Sequence, residues 1–334
     1  MSRSEKTEDD IVIAEEVAIE EIPVIDFGPF LNGDLAARRA VAAEIAHACH
    51  AIGFFYIRNH GVPTSLRQAI FEQSAAFFHQ PDSAKETARA TPAWYRGWVP
   101  APRSDTLSRD TRLFDQYRLQ LEWESENRPN DPHAAIFGRP NRWPETMPEF
   151  RLVTEQWLAA MHGLSMALLR AFALGLDLPE DRFDDYFHRP PSQLSLLYYP
   201  PLPPEADVDV SNTVSHTDEG PITILTQGEI GGLEVKRRDG VWIQAPPIPD
   251  TFTINVGDMM MWWSNGHYLS NYHRVKNRSG QERFSIPFFS NPDRDVVVAP
   301  LPELLERTGE PKFPAVKVSD HLSRFYAKLE ASVA

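Results

Sequence analysis

His216-Thr217-Asp218, then His273 at 55 residues beyond Asp218, then Arg283-Phe284-Ser285 at 10 residues beyond His273, decide how this chain is read. Two imidazoles and one carboxylate suit Fe(II), because three ligands on one face leave positions open for a co-substrate and O2. On an extended strand residues i and i+2 point to the same side, so His216 and Asp218 can grip one ion. A histidine from another strand then closes the site. The same spacing sets Arg283 beside Ser285, a planar fork of donors and a hydroxyl that together suit a carboxylate. By itself His-x-Asp is common in surface loops, and Arg-x-Ser says almost nothing. The residues between them change the odds.

Gly220-Pro-Ile-Thr-Ile-Leu-Thr-Gln227 reads as a buried strand. Gly231-Gly-Leu-Glu-Val235 and Val241-Trp-Ile-Gln244 flank a turn at Arg238-Asp-Gly240. Phe252-Thr-Ile-Asn-Val256 ends at Gly257-Asp258, Met259 to Trp263 is a further apolar run, and Asn265-Gly266 is a hairpin turn signal. Short strands so closely spaced predict an antiparallel barrel or sandwich, with the candidate ligands on strand ends inside it.

His216-Thr-Asp-Glu-Gly220, Gly231-Gly-Leu-Glu-Val235, Ile254-Asn-Val-Gly-Asp258, Ser264-Asn-Gly266, His273-Arg-Val275 and Arg283-Phe-Ser285 follow one another in this order. In that order they resemble the iron- and 2-oxoglutarate-dependent dioxygenases of the isopenicillin N synthase-like group. The resemblance covers Ile22 to Leu322. It implies a mainly β fold with flanking helices around a double-stranded β-helix (jelly-roll, cupin-like) core. It implies His216, Asp218 and His273 as iron ligands and catalytic centre, and Fe(II), 2-oxoglutarate and O2 as the cofactor set. Arg283, Ser285 and Tyr199 would hold the 2-oxoglutarate. Where many plant members carry Asn two residues before that tyrosine, this chain has Leu197, which removes one polar contact.

The implied reaction oxidises an unactivated C–H of a small organic substrate and decarboxylates 2-oxoglutarate to succinate. Hydroxylation is the commonest outcome in the group, with desaturation and cyclisation as variants. By positional match Ser195, Phe289 and Asn291 face the substrate pocket, joined by Trp98, Phe114 and Tyr117. Two alternatives stay open: an isopenicillin N synthase-like oxidase that uses no 2-oxo acid, and a non-catalytic small-molecule-binding relative. A zinc hydrolase is weaker, since Arg-x-Ser would have no role in it.

The chain has 334 residues, 42% hydrophobic, enough for a large core. Its formal net charge of -14 argues against nucleic acid as a partner. A small anionic substrate stays compatible, because local arginines can dominate a pocket. Cys49 is the only cysteine, which excludes an intrachain disulfide and thiolate clusters. It sits in a helical apolar pattern as a small core residue. No apolar run is expected to reach transmembrane length, and the N-terminus lacks a signal-peptide core, so a cytoplasmic protein with no membrane partner is expected. A monomer or a homodimer would fit. No phosphate loop or Gly-x-Gly-x-x-Gly supports a nucleotide.

In order along the chain, residues 1–20 read as a flexible tail, 21–130 as an N-terminal dioxygenase region, and 131–334 as the jelly-roll region with a long outer helix and a C-terminal helix. Helices are predicted at Leu35 to Ala51, Thr64 to His79 with a Ser or Thr cap, Phe150 to Leu176, Glu180 to Phe187 and Ser319 to Leu329. Strands are predicted at Ile22 to Phe27, Gly53 to Ile57 and Ser195 to Tyr199. Pro92 to Pro148 reads as long loops, kept ordered by Trp94, Tyr95, Trp98, Phe114 and Tyr117. Arg96 and Arg112 within it are candidates for a substrate carboxylate, with surface ion pairing the alternative. His60 reads as a turn residue rather than a fourth ligand, and His162 as a hydrogen-bonded structural residue.

Overall fold

The computed structural model describes residues 21–101, 113–123, 131, 133–201 and 213–331. The tail over 1–20 and Arg112 lie outside them.

The chain opens with β1 (Val24–Asp26), α1 (Gly28–Asn32), α2 (Leu35–Ala51), β2 (Phe54–Arg58), α3 (Thr64–Phe78) and α4 (Asp82–Lys85). Next come β3 (Gly97–Val99), β4 (Asp115–Gln120), α5 (Ala134–Phe137), α6 (Pro148–Gly175) and β5 (Gln193–Tyr199). Then follow β6 (Thr213–His216), β7 (Ile222–Gln227), β8 (Leu233–Lys236), β9 (Trp242–Gln244), β10 (Phe252–Val256), α7 (Asp258–Trp263), β11 (His273–Val275) and β12 (Arg283–Ser290). The chain closes with β13 (Val297–Val298), α8 (Pro302–Thr308), β14 (Val316–Lys317) and α9 (Val318–Ala331).

A large sheet runs in the order β1-β2-β10-β7-β12-β5-β4-β3, and a smaller one runs β6-β11-β8-β9. Apart from the parallel β1–β2 pair, the neighbours in these two sheets are antiparallel. Strands from either side of residue 130 share the large sheet.

Both faces of that sheet are buried. Phe55, Ile57, Leu194, Ile224, Ile254 and Ile286 point to the helices. Phe54, Tyr56 and Tyr199 point to the small sheet and meet Leu233, Val235, Ile243 and Val275. The helix layer is led by α6. Its apolar stripe at Phe150, Trp157, Leu158, Met161, Leu164, Leu168 and Phe172 follows the 3.6-residue period and is buried. It packs against α2 and α3. By length and composition this helix passes the test for a membrane span, against the expectation from sequence. Half of its most apolar window is buried inside the fold.

Several local expectations are corrected. Met259 to Trp263 belongs to a helix, α7, and not to a strand. Periodicity cannot separate the two in so short an apolar run. Asn265 and Gly266 do take positive φ, 50° and 81°, but their turn follows that helix rather than joining two strands. The helix predicted over Glu180 to Phe187 shrinks to a 3-10 turn at Asp184–Tyr186. Pro63 occupies the N-cap of α3 with no side-chain cap bond. The C-terminal helix folds back on its own chain: Leu322 is core, and Tyr326 Oη donates to Gln193 Oε1 at 2.6 Å.

Candidate active site

β6 and β11 pair so that His216 stands directly opposite His273. Their ring centroids are 4.3 Å apart. Phe54 meets the His273 ring edge-on at 5.4 Å and limits its rotation. Each imidazole is oriented through its Nδ1. That of His216 lies 2.8 Å from the Val214 carbonyl, and that of His273 lies 3.3 Å from the Asn271 carbonyl. A carbonyl only accepts, so Nδ1 carries the proton and Nε2 keeps its lone pair.

Asp218 lies two residues past the end of β6, so the same-face rule for a strand is not what positions it. Its placement comes from elsewhere. The Asp218 carbonyl accepts from the Asp258 backbone N–H at 2.8 Å. Its Oδ2 accepts from Thr223 Oγ1 at 2.5 Å and from Asn255 Nδ2 at 2.8 Å. With Oδ2 occupied, Oδ1 faces both imidazoles, 3.6 Å from each Nε2. The three candidate ligand atoms lie within 4.8 Å of one another, close enough to share one metal ion. Burial works against ionising Asp218, yet the two imidazoles and the bonds from Thr223 and Asn255 hold its carboxyl below the usual range. Burial pushes the His273 imidazole well down, and His216 beside it acts in the same direction. An ionised carboxylate beside a neutral imidazole is the form that binds a metal.

Motif reading passes over Thr223 and Asn255, the two donors that hold the Asp218 carboxylate. They sit opposite one another on β7 and β10. Asn255 lies inside the Ile254-Asn-Val-Gly-Asp258 motif, which thereby gains a physical reason. So does Gly257: a Cβ there would stand 2.1 Å from the Gly220 carbonyl oxygen and 2.8 Å from that of Asp218.

Arg283 and Ser285 do share a face of β12, and Arg283 Nη1 donates to Ser285 Oγ at 3.0 Å. Nη2 donates to Gln227 Oε1 at 3.2 Å, and the guanidinium lies 4.8 Å over the Tyr199 ring. Tyr199 is opposite Arg283 in the β5–β12 register. Arg283 is buried to 1% exposure, and its Nε has no hydrogen-bond partner. Among the described residues no carboxylate pairs with it. A buried cation without a counter-ion fits the carboxylate of a ligand. Burial lowers its pKa, while Tyr199 opposes that shift.

Strand register sorts the remaining candidates, because directly opposed residues share a face. Phe289 is opposite Thr223 on one side and Gln193 on the other, so it lies on the metal-side face. Ser195 is on the same face, opposite Arg118, and its Oγ accepts from Gln116 at 2.8 Å. Asn291 follows β12 beside Gly220, whose added Cβ would lie 2.9 Å from Asn291 Oδ1. Phe114 packs its ring 5.2 Å from Tyr199 in the inner layer.

Trp98 and Tyr117 are corrected. They pair with each other on the helix-side face. Tyr117 packs on Phe77 and Phe150 at 4.7 and 5.0 Å, and its hydroxyl donates to the Arg142 carbonyl at 2.7 Å. Trp98 donates to Asp115 at 3.1 Å under the Lys85 ammonium. Both are core residues. His60 is a turn residue whose ring lies 4.2 Å from that of Phe252, tilted by 40°. His162 is half-buried on α6, but its Nδ1 lacks the expected hydrogen bond.

Comparison with known proteins agrees with this geometry. Residues 22–146 match a family model described as the N-terminal region of non-haem dioxygenases in morphine synthesis. Residues 191–292 match the model of the 2OG-Fe(II) oxygenase superfamily. The chain is 32% identical over 310 residues to the 2-oxoglutarate-Fe(II) type oxidoreductase hxnY of Emericella nidulans, covering 91% of this chain and 89% of that protein. Full-length Neurospora crassa T7H, crystallised with α-ketoglutarate and thymine, superimposes with a TM-score of 0.81 at 28% identity, over 92% of this chain and 97% of that one. JOX2, crystallised with 2OG, Fe and JA, gives a TM-score of 0.75 at 31% identity, over 91% and 84%.

Proposed function

This chain belongs to the 2-oxoglutarate- and Fe(II)-dependent oxygenase superfamily, and from that premise we propose that His216, Asp218 and His273 are its iron ligands and Arg283 its 2-oxoglutarate anchor. The enzyme is an oxidoreductase that uses Fe(II), 2-oxoglutarate and O2 and acts on a small molecule. The observation that carries the assignment is the convergence of Asp218 Oδ1 with both imidazole Nε2 atoms, each at 3.6 Å. Bound there with the 2-oxo acid, Fe(II) supplies the O2 activation that oxidises a substrate C–H while succinate and CO2 are released.

The chain's own residues bind and orient. The backbone carbonyls of Val214 and Asn271 fix the imidazole tautomers, and Thr223 with Asn255 fixes the carboxylate. Arg283 receives the distal carboxylate of 2-oxoglutarate, with Ser285 and Gln227 holding the guanidinium plane and Tyr199 lying beneath it. Leu197, opposite Ser285, presents an apolar surface where a polar contact is common in the group, so Arg283 carries more of the hold. Phe289 walls the space on the metal side and keeps water from the target carbon.

The test is anaerobic titration of Fe(II) and then 2-oxoglutarate, read through the visible absorption band of the Fe(II)–keto-acid chelate. Formation of the band in the parent and its loss on His273→Ala or Asp218→Ala is expected. A parent that binds iron yet never forms the band would move the reading to an oxidase that uses no 2-oxo acid.

A further inference from the structure

Four arginines are buried among the described residues: Arg96, Arg118, Arg283 and Arg294. A guanidinium stays charged, and burying it without an anion is costly. Arg96 faces the Glu122 carboxylate, and Arg294 pairs with Asp131. Arg118 and Arg283 pair with no carboxylate among the described residues; each donates to neutral side chains. The co-substrate accounts for Arg283. Arg118, 3% exposed, is left over.

Register puts these two on one face. Arg283 is opposite Tyr199 and Arg118 is opposite Ser195, and an even spacing separates Ser195 from Tyr199 on β5. Arg118 therefore stands on the metal side. Two strand spacings separate it from β12, about 10 Å at the usual ~4.8 Å each.

The way the guanidinium is held shows what it lacks. Nε donates to Gln116 Oε1 at 3.0 Å, and Gln116 Nε2 donates to Ser195 Oγ at 2.8 Å. The Tyr95 ring lies 4.1 Å away and covers one face. The side chain thus leans along β4 toward Gln116, away from Gln193, which Tyr326 covers. Nη1 and Nη2 donate to none of the described residues. The unpartnered polar atoms sealed from solvent include Arg283 Nε but no atom of Arg118. Its two terminal nitrogens therefore border open space. Gln116 and Leu197, opposite one another on the same face, are half-buried, as is Phe114 against Tyr199.

We infer that Arg118 binds an acidic group of the substrate, so that the enzyme oxidises a small organic acid with an apolar body. The free N–H groups of Nη1 and Nη2 form a fork matched to a carboxylate. Gln116, braced by Ser195, sets its direction, and Phe114 and Leu197 offer apolar surface beside it. The inference rests on the assignment of iron and 2-oxoglutarate to their residues. It keeps the two carboxylates apart, the co-substrate's on Arg283 and the substrate's on Arg118.

The experiment uses iron-loaded enzyme under argon with saturating 2-oxoglutarate, so that Arg283 is occupied. The probes are benzoate, phenylacetate, cinnamate, hexanoate and octanoate, each beside its primary amide, with affinity read by calorimetry. At least one acid is expected to bind about tenfold or more tightly than its amide, as a hydrogen bond to a charged group gives. That preference should fall below about threefold in Arg118→Gln, which keeps donors but no charge. Arg118→Lys should fall between, keeping the charge and losing the fork. Gln116→Leu takes away the brace at a half-buried position and should weaken the preference even if Arg118→Gln fails to fold. The keto-acid chelate band and the affinity for 2-oxoglutarate should be parent-like in the Arg118 variants. A parent that forms the band yet binds none of these acids better than its amide overturns the inference, as does a preference that the substitutions leave intact. A collapse of 2-oxoglutarate affinity in folded Arg118→Gln overturns it too, by making Arg118 part of the co-substrate site. Absence of the band in the parent would instead strike the iron and 2-oxoglutarate assignment beneath it.

Discussion

His216 and His273 are direct cross-strand partners, paired in the β6–β11 register with ring centroids 4.3 Å apart. The pairing makes the small sheet part of the proposed metal site, since separating the strands would separate two candidate ligands. Fe(II) bound only by the folded state should therefore stabilise it by mass action. At a free concentration near 100 times Kd the gain is about 2.7 kcal/mol. Anaerobic thermal unfolding with and without Fe(II) measures it, and a chelator should return the midpoint to the apo value. An unchanged midpoint at saturating iron would count against the site.

The carboxylate supports make a second prediction. Asn255→Leu and Thr223→Val each remove a donor to Asp218 Oδ2 while leaving all three ligands in place. Loss of such an outer contact commonly weakens metal binding by about 10- to 100-fold. Iron titration should show that loss with circular dichroism unchanged. Parent-like iron affinity in both variants would mean that Asp218 needs no outer support.

Arg283 is buried, and Ser285 and Gln227 orient it. Arg283→Leu would leave the distal carboxylate of 2-oxoglutarate unpaired in a poorly solvated site, a loss of roughly 3–5 kcal/mol for a buried pair. Affinity for 2-oxoglutarate should fall by about 2 to 3.5 powers of ten, at 1.4 kcal/mol per tenfold. Arg283→Lys should fall between, keeping the charge but not the fork. Iron affinity should hold. A Leu variant that binds 2-oxoglutarate as tightly as the parent would remove Arg283 from the role.

Phe289 lies on the metal-side face between Thr223 and Gln193. Phe289→Ala should leave iron and 2-oxoglutarate binding intact but loosen the substrate. The signature is succinate release that continues while product per succinate falls. An unchanged ratio would make Phe289 a packing residue only.

Gly257 allows the backbone crossing that sets Asp218. Because an added Cβ would stand 2.1 Å from the Gly220 carbonyl, Gly257→Ala must move one of the two segments. Overpacking of this kind costs typically 1–3 kcal/mol. Urea unfolding should show the loss, with weaker iron binding beside it. A variant of parent stability would show that the crossing is not tight.

The sequence by itself determined the kind of site and the kind of core. His216, Asp218, His273, Arg283 and Ser285 are legible because metal and carboxylate binding demand particular side chains, and those stand out one residue at a time. The α6 stripe and the closely spaced strands are legible because one buried face imposes a period. Tertiary structure alone decided which residues share a face. Both sides of the large sheet are buried, and the alternation its strands carry, Gln116, Arg118 and Gln120 against Tyr117 and Leu119 on β4, separates two faces without saying which one meets the helices. Register puts Trp98 and Tyr117 on the helix side, against expectation, and Phe289 on the metal side. Thr223 and Asn255 sit in runs that read as ordinary strand, and their bonds to Asp218 exist only because β7 pairs with β10. The approach of Arg96 to Gln120 is of the same kind: two residues 24 apart in sequence, joined by a side-chain hydrogen bond that no local pattern encodes.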